Sequence, residues 1–492
     1  MENNNIQSPA SVGGADAKAV ASAGADAIAD ASRLKVVSSL VAASFFMQML
    51  DGTILNTALP SIARSLGESP LRMQSVVIAY LITVALLIPS SGWLADRFGV
   101  RKIFCLSIAL FCLGSLFCAL SNSLAGLVVS RVVQGVGGAI MVPVGRLAVL
   151  RITPRKDFVR AMSFITIPGL VGPLLGPTLG GFLVQYATWH WIFLINIPVG
   201  LAGCILTLRY MPALIQARTG HFDWPGFFLF GLSMVAFSMA VEGAGELKLP
   251  RWIYLSLSGG GAVGLVTYCL YALKAKSPIF PLSLFRNRGF SAGIAGNFFA
   301  RLGGGAMPFL LPLLLQLGLG YSPAMAGAAM IPLALGAMTA KPLVSPMVNR
   351  FGFRRVLVGN TILQGTMIAA LYWTRAMPNP YLLLGHLTLL GMVNSFQFSV
   401  MNTVTLLELS PEQASAGNSI LAVVTQLSIS FGVSIGAATL SLFLGGTILH
   451  SAPGPELLPA FRLSFLVIGG WVALSSLIFS FLPRHCAEDD RR

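Results

Sequence analysis

Apolar runs about 20 residues long recur along this 492-residue chain, and runs of that length leave few folds open. An α-helix needs about 20 apolar residues to cross a hydrocarbon core, whereas a spanning strand needs about 9–11. Fourteen candidate spans lie near 36–59, 74–94, 103–121, 125–147, 161–184, 191–210, 226–245, 252–273, 289–315, 323–345, 355–374, 380–406, 415–441 and 463–482. They are continuous rather than alternating, so they predict helices and not barrel strands. Composition agrees: 55% of residues are hydrophobic and 10% charged, against about a quarter charged in soluble chains. The expected fold class is an all-α integral membrane protein with fourteen transmembrane helices.

An even number of spans puts both termini on one side. The net charge is +15, and its distribution gives the orientation. With the N-terminus inside, only Arg64, Arg72, Lys248, Arg251, Arg375 and Arg462 fall in outer loops. Arg131, Arg146, Arg301 and Lys341 lie within spans, and the remaining Lys and Arg occupy inner loops and tails. The positive-inside rule therefore predicts cytoplasmic termini. Cations facing anionic lipid explain the charge without a nucleic-acid partner. Residues 1–34, rich in Asn, Ala, Gly and Ser, have no apolar signal-peptide core and are expected to form a disordered cytoplasmic tail. Five of the six cysteines fall in apolar runs, without C-x-x-C spacing or a His partner. They read as small packing residues, with no metal expected.

The chain contains a repeat. "GWLADRFGVRKIF" (Gly92–Phe104) follows span 2, and "SPMVNRFGFRRVL" (Ser345–Leu357) follows span 10. Arg97 matches Arg350, Gly99 matches Gly352, Arg101 matches Arg354, and Lys102 matches Arg355, while Asn349 stands in the place of Asp96. Two six-helix halves related in this way are a transporter signature. The predicted organisation is a tail (1–34), an N-terminal six-helix half (35–212), an inserted two-helix hairpin (213–285), a C-terminal six-helix half (286–484) and a short tail (485–492).

These residues resemble the major facilitator superfamily over about residues 35–484. "GWLADRFGVRK" resembles its signature loop between helices 2 and 3. "SRVVQGVGGA" (Ser130–Ala139) resembles the helix-4 Arg motif of proton-coupled members, and "GPTLGGFL" (Gly176–Leu183) the helix-5 motif of antiporters. "LDGTILNTALP" and "WHWIFLINIPVG" (Trp189–Gly200) resemble the fourteen-helix drug:proton antiporter subgroup. The resemblance implies secondary-active export across a bacterial inner membrane by alternating access, driven by proton entry.

The intramembrane charges are the site candidates, because such residues are expensive and functional by default. Asp51 is the only acid in its run, at a cost of about +2.5 to +3.5 kcal/mol on insertion scales. Counted from the outer ends of their spans, Asp51 and Arg131 differ in depth by only about 5 Å. They are expected to be a proton-coupling pair, with a buried structural salt bridge as the alternative reading. Gln48 and Gln134 each stand three residues from one member and are candidate supporting groups. By the resemblance, spans 1, 4, 9 and 12 line the cavity. The cavity candidates on them are Gln48, Gln134, Arg146, Arg301, Asn394, Gln397 and Asn402, although Arg146 and Arg301 also suit gate or packing roles.

The loop Asp96, Arg97, Gly99, Arg101 and Lys102, with its second copy Arg350, Arg354 and Arg355, is expected to be a conformational latch. It is weaker in the second copy, where Asn349 lacks the charge. In span 5, Pro173, Gly176, Pro177, Gly180 and Gly181 predict a bent helix that allows close approach and seals the halves. His190, between two tryptophans, reads as interfacial.

The implied function is proton-coupled export of small molecules of the multidrug type. Three cavity arginines against one aspartate favour an anion, such as citrate or its metal chelate, as the alternative cargo. No catalytic cluster or phosphate loop is visible, so no enzyme and no cofactor are expected. The partners are a small-molecule substrate, protons and the lipid bilayer, and the chain is expected to function as a monomer.

Overall fold

A computed structural model of the chain describes residues 13–154, 157–213, 221–244, 250–376, 380–445 and 457–482. Every regular element among them is helical. The N-terminal half comprises α1 (Gly13–Ile54), α2 (Leu59–Leu66), α3 (Gln74–Phe98), α4 (Val100–Leu120), α5 (Leu124–Ile152), α6 (Phe158–Tyr186), α7 (Trp191–Leu194) and α8 (Asn196–Tyr210). The inserted hairpin is α9 (Trp224–Ala244) and α10 (Arg251–Lys274). The C-terminal half comprises α11 (Arg288–Leu313), α12 (Pro323–Ala329), α13 (Ile331–Thr339), α14 (Lys341–Phe351), α15 (Phe353–Ala370), α16 (Pro380–Leu407), α17 (Pro411–Phe443) and α18 (Leu458–Phe479).

Twelve of the described helices are long and apolar enough to cross a membrane. The pair Pro323–Thr339 and Lys341–Phe351, bent by 47°, brings the count to 13. The fifth expected span corresponds to α6, 29 residues long and continuous through Pro168, Pro173 and Pro177. The count is thus in line with the predicted fourteen, and the bend falls at the Ala340–Pro342 step, where Pro342 has no N–H to donate to the Met338 carbonyl.

One expectation is corrected. The segment 13–34 was expected to be disordered, yet α1 is helical from Gly13. Alanine has the highest helix propensity, and this stretch is Ala-rich. The membrane-crossing part begins at Arg33. Residues 1–12 and the tail 485–492 lie outside the described residues.

The repeat is physical. Gly99 (φ 92°) and Gly352 (φ 76°) take the same positive-φ turn, each with its N–H donating to a carbonyl four residues back, Ala95 and Val348. The match continues upstream at the same offset: Leu66-Gly67…Ser69-Pro70 onto Leu319-Gly320…Ser322-Pro323, and Phe45-Phe46 onto Phe298-Phe299. Gly67 and Gly320 again share a positive φ, 67° and 72°.

The halves join unevenly. Near the face expected to be extracellular, one apolar core takes in both halves, including Ile54, Leu59, Phe193, Phe309, Leu314 and Phe461. Toward the cation-rich face, one core belongs to the first half alone (Val41, Phe104, Met141) and another to the second half alone (Val348, Leu357, Phe396). The surface of α14 is correspondingly open, with Leu343, Met347 and Phe351 exposed. The halves therefore share one core at one face and keep separate cores at the other, where α3 and α17 still join them laterally. The hairpin lies at the side, its Met234 and Tyr268 packed with Ala85 of α3 and Leu427 of α17. On α10, Trp252, Leu255, Val263, Val266, Leu270 and Leu273 face outward, as suits lipid.

Candidate functional site

Asp51 and Arg131 meet. α1 and α5 bring Asp51 Oδ2 within 2.7 Å of an Arg131 terminal nitrogen, and each residue is only 1% exposed. Gln134, one turn along α5, bridges them: its Oε1 accepts from Arg131 at 2.7 Å and its Nε2 donates to Asp51 Oδ1 at 2.8 Å. Asn196, the first residue of α8, also donates to Asp51 Oδ1 at 3.2 Å. Ser115 of α4 accepts from both Gln134 and Asn196. Arg131 further donates to the Val76 carbonyl at 3.4 Å and lies over the Tyr80 ring at 4.2 Å. Glycine makes the convergence possible, because a Cβ on Gly114 would fall 2.4 Å from the Gln134 backbone nitrogen.

A buried ion pair holds only when its remaining lone pairs and protons are also satisfied. Asp51 here accepts three bonds from three residues on two other helices. Gln48 does not join this network. Its Nε2 donates to the Gly138 carbonyl at 3.0 Å, and its Oε1 is buried without a partner, as is Tyr80 Oη.

Arg301 lies in the second half on different terms. Its Nε donates to Asn297 Oδ1 at 2.9 Å, a terminal nitrogen donates to Asn402 Oδ1 at 3.0 Å, and the guanidinium covers the Phe398 ring at 4.1 Å. No carboxylate among the described residues is paired with it. Arg146 is exposed and stacks over Phe45 at 4.9 Å. Asn394 accepts from Gln364 Nε2 at 2.9 Å. Gln397 is a correction to the cavity list: it is buried, accepts from Asn360 and donates to Thr361, and so ties α15 to α16. The register of α16 turns it inward while Asn394 and Phe398 remain exposed.

At the cation-rich face Asp96 pairs with Arg151 of α5, within its own half. Arg97 lies over Trp93 at 6.0 Å and Arg350 over Phe351 at 5.4 Å. Lys102 and Arg355 are exposed, Arg101 and Arg354 half-buried. At the face with the shared core the span-5 glycines are contact points. A Cβ on Gly176 would fall 2.1 Å from Thr53 Oγ1, and one on Gly180 2.2 Å from the Ile54 carbonyl oxygen. Gly181 reaches the other half, where a Cβ would meet the Pro323 carbonyl oxygen at 2.1 Å. Pro177 is buried at this seam and Pro173 exposed. Thr178 Oγ1 donates to the Gly327 carbonyl at 3.2 Å, and Gln316 Nε2 crosses to the Thr57 carbonyl at 2.8 Å.

The family model of the Major Facilitator Superfamily matches residues 41–433 and 293–491. The chain belongs to that superfamily. It is 49% identical over 451 residues to the "Putative multidrug resistance protein MdtD" of Salmonella typhimurium (strain LT2) and of Salmonella heidelberg (strain SL476), covering 92% of this chain and 95% of each relative. Solved major facilitator structures share the fold. A bacterial homologue of the human lysosomal transporter Spinster, inward-facing and unoccupied, has a TM-score of 0.62 at 16% identity, with 91% of this chain and 96% of that one covered. A D-xylose–proton symporter has a TM-score of 0.64 at 14% identity, with 91% and 98% covered. Against that fold, sequence reasoning missed Asn196, Ser115, Tyr80 and Gln364. Asn196 left a signal, a lone amide in "WIFLINIPVG"; serine and tyrosine inside apolar helices leave none.

Proposed function

We propose that this major facilitator protein is a proton-coupled exporter of small molecules, working by alternating access as a monomer in a bacterial inner membrane with both termini cytoplasmic. The observation that carries the reading is the fully buried Asp51–Arg131 pair with its Gln134 and Asn196 donors. Protonating Asp51 would discharge one member and leave Arg131 buried without a counter-charge. Breaking a buried pair in this way costs about 3–5 kcal/mol, enough to displace a conformational equilibrium. A proton arriving from outside would thus favour a different packing of α1 against α5 and α8, and its loss to the inside would restore the network. The shared core at one face and the separate cores at the other are one of the two arrangements such a cycle needs, with substrate entering from the cation-rich side.

Asp51→Asn keeps the shape and removes the titrating group. It should abolish uphill export in proteoliposomes under an imposed pH gradient while inserting normally; full uphill transport by the variant would refute the assignment. The relatives' printed name supports multidrug cargo. Arg301 favours a second reading, because a buried guanidinium bonded only to neutral amides suits a carboxylate-bearing cargo. Labelled citrate and a cationic dye, compared in wild type and Arg301→Ala, separate the two. Selective loss of citrate export supports the anion, and equal loss of both removes it.

A further inference from the structure

The offset that carries Arg97 onto Arg350 carries Asp51 onto Gly304, with Gly67 and Gly320 in register between them. The second half therefore has no acid at the position where the first half keeps its carboxylate. A cavity of about 60 Å³ stands there, lined by Gly304, Pro308, Met330, Gln364, Ile368 and Asn394 among others. A Cβ on Gly304 would lie 3.5 Å from Asn394 Oδ1 and 3.8 Å from Gln364 Nε2, so both amides close directly over the glycine.

The polar lining includes a buried acceptor that no donor reaches. Gln364 is 3% exposed, its Nε2 is spent on Asn394, and its Oε1 has no partner. Pro308 has no N–H to offer the Gly304 carbonyl, and Pro312 none for the Pro308 carbonyl. A buried acceptor without a donor is costly, so this lining calls for a donor. Arg301 lies one turn away on the same helix face, and its positive charge disfavours a metal ion. The remaining surface is apolar, and the volume suits one small head group, a liquid water occupying roughly 30 Å³.

We propose that this cavity seats a compact, uncharged N–H or O–H donor group of the transported molecule, such as an aromatic amine. It is the counterpart of the Asp51 site under the repeat of the two halves. The proposal rests on the export reading for the identity of its ligand, and its test separates the two. Ethidium carries exocyclic amines; tetraphenylphosphonium is a lipophilic cation without any N–H or O–H.

Binding of each probe is measured on the purified full-length chain. Gly304→Ala fills the cavity at ordinary contact distance, and Gln364→Leu removes the orphan acceptor. Each should weaken ethidium about tenfold, the effect of losing one hydrogen bond, and leave tetraphenylphosphonium unchanged. Equal effects on both probes, no effect on ethidium, or a wild type that binds neither would overturn the subsite. Ethidium that is bound by wild type but not moved uphill in proteoliposomes would refute the export reading and leave the subsite standing.

Discussion

At the residue scale, the cost of Asp51 in a membrane helix is offset by three other helices at once. Arg131 and Gln134 come from α5, Asn196 from α8, and Ser115 of α4 fixes the two amides. Because these groups act as a unit, their losses should not add. Asn196→Ala leaves Asp51 short of one donor and should cost about 1–3 kcal/mol of stability. In an Asp51→Asn background the same change should cost clearly less, since the charge it served is gone. A double-mutant cycle on thermal unfolding reads this directly, and additive losses would argue against the network. Asp51 and Arg131 were legible in the sequence because a charge in an apolar run stands out. Asn196 was half legible, and Ser115 was not, because a serine in a membrane helix normally satisfies itself on its own backbone.

At the element scale, distinct duties are proposed for α6 and for the loop around Gly99. α6 is packed by its glycines against α1, and at Gly181 against Pro323 of the other half. Gly181→Ala places a methyl group where backbone already lies, so the face with the shared core should no longer close. A cysteine introduced at Ala58, fully buried here, should then react faster with an impermeant thiol reagent applied from that face in a background free of native cysteines. Unchanged reactivity would remove the sealing role.

Asp96, the carboxylate of the proposed latch, faces Arg151 in a partly exposed pair. Pairs of that kind are worth about 0–1 kcal/mol. Asp96→Asn, which copies Asn349 of the second repeat, should barely move the unfolding temperature yet slow transport. A large loss of stability with transport intact would reverse the assignment. The loop was readable in the sequence from its repeated turn glycine; its partner Arg151 was not, because several arginines of the inner loops were equally available.

At the scale of the whole molecule, the halves share an apolar core at one face and keep separate cores at the other. The inserted hairpin rides beside α3 and α17, where the halves meet laterally. The cation-rich loops predict the orientation. Alkaline phosphatase fused after Pro250 should be active, and after Leu482 inactive; the reverse pattern would invert the topology and the direction of transport with it.

The spans, the internal repeat and the charged candidates were legible in the sequence alone. The bilayer imposes a one-dimensional rule: length and apolarity place a helix, and loop cations orient it. Which polar groups meet was decided only by tertiary structure. Gln397 turned away from the cavity, Gln48 bonded Gly138 instead of Asp51, and Asn196 arrived from a distant helix. The repeat offset alone sets Gly304 against Asp51, but the cavity beside Gly304 became visible only in the folded second half. Helix rotation and crossing depend on contacts far apart in the chain, and no local pattern encodes them.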